Sequence, residues 1–330
     1  MMPRIAMALA QPMRDQVFPD DSWQVLKDLG RLDVLSGTDA IVDALPDVEV
    51  LVAGWGVPPL TPELLDTAPR LRLIAYVGAA VKSFATPAMF QRGVVLTQAG
   101  MGMARPVAEV ALTFSLSLLH QIHVFDHALR SGTDFDATLA LARPRHEIAG
   151  AAFGVVGASR VGRAYTSLAQ NLGATVAVHD PYLDEAEAAA LGVRRVGLDE
   201  LMARSRIVAL HAPVLPETKE MIGAGQLASM PDGSGLVNTA RAWLIDSEAL
   251  LAELRSGRID AALDVFDDEP LRVDDPLRRL PNVLLTPHQA AGTIEGRARQ
   301  GTVLLEEIGR YFRGEPLAHC VTPELLDRIA

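Results

Sequence analysis

Gly154-Val155-Val156-Gly157-Ala158-Ser159-Arg160-Val161-Gly162 is the stretch on which the reading of this chain turns. An apolar run reaches a glycine, makes a short polar turn, and meets a second glycine inside a helical pattern that continues to Leu172. Gly157 allows the tight turn, and Gly162 lets the helix pack closely on the strand before it. The helix start, with its unpaired N–H groups and positive dipole end, suits a pyrophosphate. Ser159 holds the middle position, where glycine gives backbone its closest approach to phosphate. Ser159, Arg160 and Val161 are expected among the cofactor-binding residues with Gly157 and Gly162, and the helix is predicted over Val161–Leu172. The next apolar run, Thr175–Val178, ends in His179-Asp180-Pro181, with Asp180 eighteen residues beyond Gly162. An acid there accepts hydrogen bonds from ribose hydroxyls and repels a 2′-phosphate, which favours NAD over NADP. No arginine between Asp180 and Glu187 offers such a phosphate a partner.

Outward from this unit the same alternation continues. Apolar runs at Phe153–Val156, Thr175–Val178, Ile207–Leu210, Gly235–Val237, Ala261–Val265 and Val283–Leu285 predict six strands, most of them separated by helical segments. That count suits a complete dinucleotide-binding fold. Upstream, Ile5–Leu9, Val48–Val52, Leu71–Val77 and Val94–Leu96 read as strands. Trp23–Leu29, Ala40–Leu45 and Glu63–Asp66 read as helices, the last capped by Thr61 with Pro62 at its first position. One long helix is predicted from about Ala104 to Arg130, and another over Gly296–Gly314. The closing helix is expected to pack back on the first domain. The fold class is therefore α/β, with two doubly wound parallel sheets: a Rossmann NAD-binding domain over 104–297, inserted in a flavodoxin-like substrate domain formed by 1–103 and 298–330.

Composition narrows the possible functions. The chain has 330 residues, is 49% hydrophobic and carries a formal charge of -11, which argues against nucleic acid, whose phosphates need clustered lysine and arginine. No apolar run is long enough to span a membrane, and the Met1–Ala10 stretch reads as a first buried strand rather than a signal sequence. The lone cysteine, Cys320, can form no internal disulfide and fits the reducing cytoplasm. No metal site is expected.

Three further segments carry chemistry: Asn238-Thr239-Ala240-Arg241, Asp264-Val265-Phe266-Asp267-Asp268-Glu269-Pro270 and Thr286-Pro287-His288. Each follows an apolar run, so each is expected on a loop at the carboxyl end of a strand, where open α/β sheets bind ligands. Arg241, Glu269 and His288 together offer an anion clamp and a carboxylate–histidine acid/base pair, equipment for redox chemistry on a small carboxylic acid.

With Leu210-His211-Ala212-Pro213, Pro216-Glu217-Thr218, Leu280-Pro281-Asn282-Val283 and the Val107-Ala108-Glu109 opening of the long helix, these segments stand in an order and spacing that resembles the D-isomer-specific 2-hydroxyacid dehydrogenases, from about residue 70 to 295. The resemblance implies interconversion of a 2-oxo acid and a D-2-hydroxy acid by hydride transfer with NAD. Arg241 would hold the substrate carboxylate, His288 would exchange the proton on the oxygen, and Glu269 would orient the imidazole and favour its protonated form. It further implies that Asp264 binds the nicotinamide carboxamide, and that Ala212, Pro213, Thr218, Thr239, Ala240, Arg241 and His288 line the cofactor. A homodimer using the long helix is implied as well.

The substrate loop is expected at Val77, Gly78 and Ala79. The family pattern Gly-x-Gly-x-Asp becomes Gly78-Ala79-Ala80-Val81-Lys82 here, and Met103, Arg105 and Pro106 are unusual at the helix entry. Lys82 and Arg105 are therefore candidates for a second anionic group on the substrate. Two alternatives remain open from the sequence: a non-catalytic NAD(H)-sensing protein like the corepressors built on this scaffold, and oxidation of another small anion such as phosphite.

Overall fold

The computed structural model describes residues 2–141 and 143–326. Met1 and 327–330, at the outer ends of the expected substrate domain, and Ala142 lie outside the described residues. The chain divides into two units, one running to Met103 and resuming at Gly292, the other spanning Ala104–Ala291.

In the first unit, strands β1 (Arg4–Ala8), β2 (Arg31–Val34), β3 (Val50–Ala53), β4 (Leu73–Tyr76) and β5 (Val95–Gln98) form a parallel sheet in the order β2-β1-β3-β4-β5. A short antiparallel strand, Cys320–Val321, adds to the β5 edge. The order 2-1-3-4-5 is that of the flavodoxin-like doubly wound fold. Strand β3 reads as continuously apolar because both sheet faces are covered. Val50 and Val52 face a core with Val17, Phe18, Leu304 and Ile308, whereas Leu51 and Ala53 face one with Ile41, Leu45, Leu65 and Phe84. Each of the valine, leucine, isoleucine and phenylalanine side chains among these stabilises the fold by roughly 1.5–3 kcal/mol when fully buried.

The closing helix runs Ile294–Phe312, and the Thr293 hydroxyl caps it by accepting from the Gly296 N–H at 3.0 Å. Its whole length belongs to this unit, so the boundary falls at Gly292 rather than at the expected 298. Close packing fixes it there: a Cβ on Gly301 would sit 1.8 Å from the Val17 carbonyl oxygen, so only glycine lets the two segments touch. Buried Glu307 binds the Thr97 hydroxyl at 2.8 Å and the Ala318 and His319 N–H groups at 3.0 and 2.9 Å, holding the final strand to the sheet edge.

The second unit contains β6 (Ala152–Val156), β7 (Thr175–His179), β8 (Arg194–Arg195), β9 (Ile207–Leu210), β10 (Gly235–Asn238), β11 (Asp260–Leu263) and β12 (Val283–Leu285). All pair in parallel, in the order β8-β7-β6-β9-β10-β11-β12, which reverses direction between β6 and β9. That reversal is the topological switch point of a Rossmann sheet. The sequence predicts six strands here, and the described residues form seven. Strand β8 is two exposed arginines at the edge, with no apolar run to announce it.

The long helix predicted from 104 to 130 is two helices, Ala104–Leu119 and Ile122–Arg130, and the helical stretch Gly100–Leu119 meets the second at a bend of 71°. Gln121 breaks it in the left-handed conformation, φ 55°. Its amide Nε2 donates to the Leu118 carbonyl at 3.0 Å and to buried Asp260 at 2.6 Å, and Asp260 also pairs with Arg143. The break is a tertiary anchor that helical periodicity cannot reveal. Among the described residues no single helix is long and apolar enough to cross a membrane.

Candidate active site and cofactor cradle

The glycine-rich turn joins β6 to the helix Arg160–Asn171. Gly157 has φ +97°, and a Cβ there would lie 2.6 Å from the Ala212 nitrogen. A Cβ on Gly162 would lie 2.1 Å from the Gly157 carbonyl oxygen. The turn is thus wedged against the His211-Ala212-Pro213 segment leaving β9, and neither glycine admits a side chain. Ser159 is the N-cap of the helix, its hydroxyl accepting from the Gly162 N–H at 3.2 Å. It therefore stabilises the helix start while taking up one of the donors that face an anion there. Arg160 and Val161 follow as the first helical residues, Arg160 exposed.

Asp180, at the end of β7, accepts from the Ala158 N–H at 2.7 Å and the Tyr182 N–H at 2.8 Å. The acid expected at the ribose also ties the glycine-rich turn to the neighbouring strand. The Thr218 hydroxyl is engaged within its own loop, donating toward the Pro213 and Leu215 carbonyls and accepting from the Leu215 N–H. It shapes the turn expected along the cofactor. The Thr239 Oγ1 and His211 Nε2 are buried without a hydrogen-bond partner among the described residues. A buried hydroxyl with no partner is costly unless a bound group supplies one. A cradle closed to any Cβ, a capped helix start, an acid beyond the second strand and an orphaned threonine hydroxyl together fit a dinucleotide.

Arg241, Glu269 and His288 lie on the loops after β10, β11 and β12. Asn238 folds the first of these: its Nδ2 donates to the Arg241 carbonyl at 2.9 Å, and its Oδ1 accepts from the Ala240 N–H at 3.0 Å. Arg241 is held in extended backbone, its Nη1 donating to the Ala240 carbonyl at 2.6 Å. Glu269 accepts at both oxygens, from the Phe266 N–H at 3.0 Å and from His288 Nδ1 at 2.6 Å. Partial burial opposes ionisation of Glu269. The hydrogen bonds from His288 and Phe266, with the charges of His288 and Arg241, outweigh it and hold its pKa below the usual 4.5. The Glu269 and His288 side chains are 35% and 44% exposed, so the pair is open to a small molecule. With Nδ1 engaged, Nε2 is the ring nitrogen available to a substrate.

Asp264 is 1% exposed and supports the third loop. One oxygen accepts from the Thr286 hydroxyl at 2.5 Å and the Gln289 N–H at 2.9 Å, and the other accepts from the Ala290 N–H at 3.0 Å. These bonds bracket His288, whose φ of 53° lies in the left-handed region that side-chain-bearing residues seldom adopt. Three of the roughly four acceptor sites of the carboxylate are already filled, so Asp264 fixes the histidine loop whatever else it meets.

Asn238 and Thr286 lie inside the segments singled out in the sequence, but their roles depend on partners two to twenty-two residues away. Of the expected substrate residues, Val77 and Gly78 are buried in the first unit, Ala79 is half-buried and Lys82 is exposed. Arg105 pairs with Glu109 at 2.6 Å on an exposed helix face, the position of a solvated charge. Among the described residues no group of three histidine, cysteine or acidic side chains is arranged to hold a metal ion.

Comparison with known proteins shows the family to which the chain belongs. The family model of the D-isomer specific 2-hydroxyacid dehydrogenase NAD binding domain matches residues 112–290. A D-3-phosphoglycerate dehydrogenase of Methanocaldococcus jannaschii is 32% identical over 303 residues, 90% of this chain and 56% of that protein. The chain thus spans about half the length of the curated phosphoglycerate dehydrogenases it matches. A glyoxylate reductase of Korarchaeum cryptofilum is 29% identical and matches end to end, over 99% of this chain and 98% of that one. Among solved structures, apo D-mandelate dehydrogenase of Rhodotorula graminis superimposes with a TM-score of 0.85 at 26% identity, covering 98% of each chain. The chain belongs to the D-isomer specific 2-hydroxyacid dehydrogenase family, and its second unit carries that family's NAD-binding domain.

Proposed function

We propose that the protein interconverts a 2-oxo acid and the corresponding D-2-hydroxy acid, using NAD. The observation that carries this reading is the 2.6 Å contact between Glu269 and His288 Nδ1, with Arg241 near enough to act electrostatically on Glu269. NADH, when bound, supplies the hydride. Arg241 offers a planar donor fork to the substrate carboxylate and, through the same charge, polarises the adjacent carbonyl. His288 delivers a proton from Nε2 to the carbonyl oxygen as that oxygen gains charge, and in the reverse direction removes the hydroxyl proton. Glu269 holds the ring by Nδ1 and balances its positive charge. Asp264 keeps the loop in place throughout. Gly157, Gly162, Asp180, Ala212, Pro213, Thr239 and Ala240 are the residues proposed to hold NAD.

The names of the relatives, covering phosphoglycerate, glyoxylate and mandelate, support a 2-hydroxy or 2-oxo acid without selecting one. We further propose a cytoplasmic homodimer. Ile122, Leu129, Phe135 and Leu139 on the helices Ile122–Arg130 and Phe135–Leu141 are more than half exposed, an apolar surface that a second copy would cover. The test is a substrate panel. The purified protein is expected to oxidise NADH with at least one 2-oxo acid and to yield the D product by chiral analysis. An L product, or NADH binding without turnover of any acid, would overturn the reading.

A further inference from the structure

The first unit contains a buried cation without an anion. Arg297, the fourth residue of the helix Ile294–Phe312, is only 7% exposed. Its Nη1 donates to Gln300 Oε1 at 3.2 Å, and the guanidinium carbon stands 5.5 Å from the centroid of the Trp55 ring. Its Nε is buried and has no acceptor. Among the described residues no carboxylate lies within ion-pair distance of it. Burial lowers the pKa of Arg297, but a guanidinium does not shed its proton in a protein. A buried charge without a partner is destabilising, and the cation–π contact with Trp55 offsets only part of that cost.

The surroundings point to what completes it. Gln300, which binds Arg297 through its oxygen, donates through its nitrogen to the Val77 carbonyl at 2.7 Å. One side chain therefore links the guanidinium to the loop Val77-Gly78-Ala79 at the carboxyl end of β4. Trp55 stands two residues beyond the carboxyl end of β3 and is 52% exposed. Arg297 thus lies with loops on the edge of the sheet where parallel α/β folds take their ligands. Lys82 is exposed and Arg105 has its own carboxylate, so neither matches this combination of burial and unmet charge.

We propose that Arg297, flanked by the Trp55 ring and held by Gln300, is an anion-binding residue of this unit, and that it receives a carboxylate or phosphate group of the substrate. The inference rests on the dehydrogenase reading for the identity of the substrate, but not for the existence of the anion site. It assigns Arg297 a role in specificity, with Trp55 as the aromatic wall over the bound group.

The experiment uses the full chain as wild type, Arg297→Met and Arg297→Lys, with NADH and three acceptors: 2-oxobutyrate, 2-oxoglutarate and 3-phosphohydroxypyruvate. Loss of a charge-assisted hydrogen bond is expected to raise KM in Arg297→Met on the order of tenfold to a hundredfold. The kcat should change less, the NADH Kd should be unchanged, and Arg297→Lys should recover part of the loss. A rise confined to 2-oxoglutarate or 3-phosphohydroxypyruvate places the side-chain carboxylate or the phosphate on Arg297. An equal rise for all three, which share only the carboxylate given to Arg241, would leave no further anionic group on Arg297 and overturn the proposal. Unchanged KM values, even with a lower melting temperature, would make Arg297 a structural residue and overturn the proposal. Should the wild type reduce none of these acceptors nor any other 2-oxo acid of the substrate panel, the dehydrogenase reading fails, and calorimetric titration with oxalate and inorganic phosphate still decides the anion site. Binding lost in Arg297→Met supports it, whereas identical or flat isotherms overturn it.

Discussion

Replacing Glu269 with glutamine isolates the charge of the proposed acid/base pair from its shape. Glu269 accepts from the Phe266 N–H with one oxygen and from His288 Nδ1 with the other. Glutamine has a single acceptor oxygen, so its NH2 group must face one of those two donors. The variant therefore loses a hydrogen bond and the charge that balances a protonated ring. Two unit charges about 4 Å apart attract by about 1 kcal/mol in water and about 4 kcal/mol at an effective dielectric of 20. Both side chains are more than a third exposed, and solvent screening places the loss between these limits, at about 1–3 kcal/mol. That corresponds to a fall in kcat/KM for 2-oxo acid reduction of roughly five- to 150-fold. The assay is the initial rate of NADH oxidation across pH, since the pair must carry a proton to give one. The Glu269→Gln rate should lie below wild type across the profile, while the NADH Kd stays constant. A variant within twofold of wild type at every pH would refute the role given to Glu269.

Gly162→Ala forces a Cβ to 2.1 Å from the Gly157 carbonyl; it should cost about 1–3 kcal/mol of stability and weaken NADH binding, read by chemical denaturation and by fluorescence titration. Asp264→Asn replaces one acceptor oxygen by an NH2 that must face a donor N–H or hydroxyl of the histidine loop. It should lower kcat by about 10–100-fold through misplacement of His288, with a smaller change in KM. Burial lowers the pKa of His211 from 6.5 to about 3, so the unfolded chain binds a proton that the folded one refuses. Stability should therefore decline as pH falls from 6.5 towards 3, by up to about 1.4 kcal/mol per unit from this residue. Urea unfolding of His211→Phe should show a shallower acid dependence than wild type.

The parts of the fold that announce themselves in the sequence do so for a physical reason. Strands buried on both faces, such as Val50–Ala53 and Ile207–Leu210, read as apolar runs, and the glycines at 157 and 162 mark contacts too close for a Cβ. The edge strands Arg31–Val34, Arg194–Arg195 and Cys320–Val321 pair through backbone and bury few side chains, so no apolar run marks them. The bend at Gln121 depends on Asp260, 139 residues away, and is invisible to any local pattern. The site divides the same way. Arg241, Glu269 and His288 stand out in the sequence because their side-chain types and spacing suggest the chemistry proposed for them, and the contact between Glu269 and His288 is present in the fold. The bracing by Asp264 and Asn238 does not stand out, because a carboxylate or amide shows its role only with its partners in place. Arg297 belongs to this second class: an arginine in a helix reads as a surface charge until its burial and missing carboxylate are seen.

The central claim is that Arg241 and His288 act on a carbon next to a carboxylate. It is tested most directly by comparing, in wild type and Arg241→Gln, NADH-dependent reduction of one 2-oxo acid with reduction of its uncharged 2-oxo amide. Wild type should prefer the acid by about tenfold or more, the worth of a charge-assisted pair of about 1.5–3 kcal/mol, and Arg241→Gln should lose that preference. Equal rates on acid and amide in the wild type, or a preference that survives in Arg241→Gln, would contradict the account.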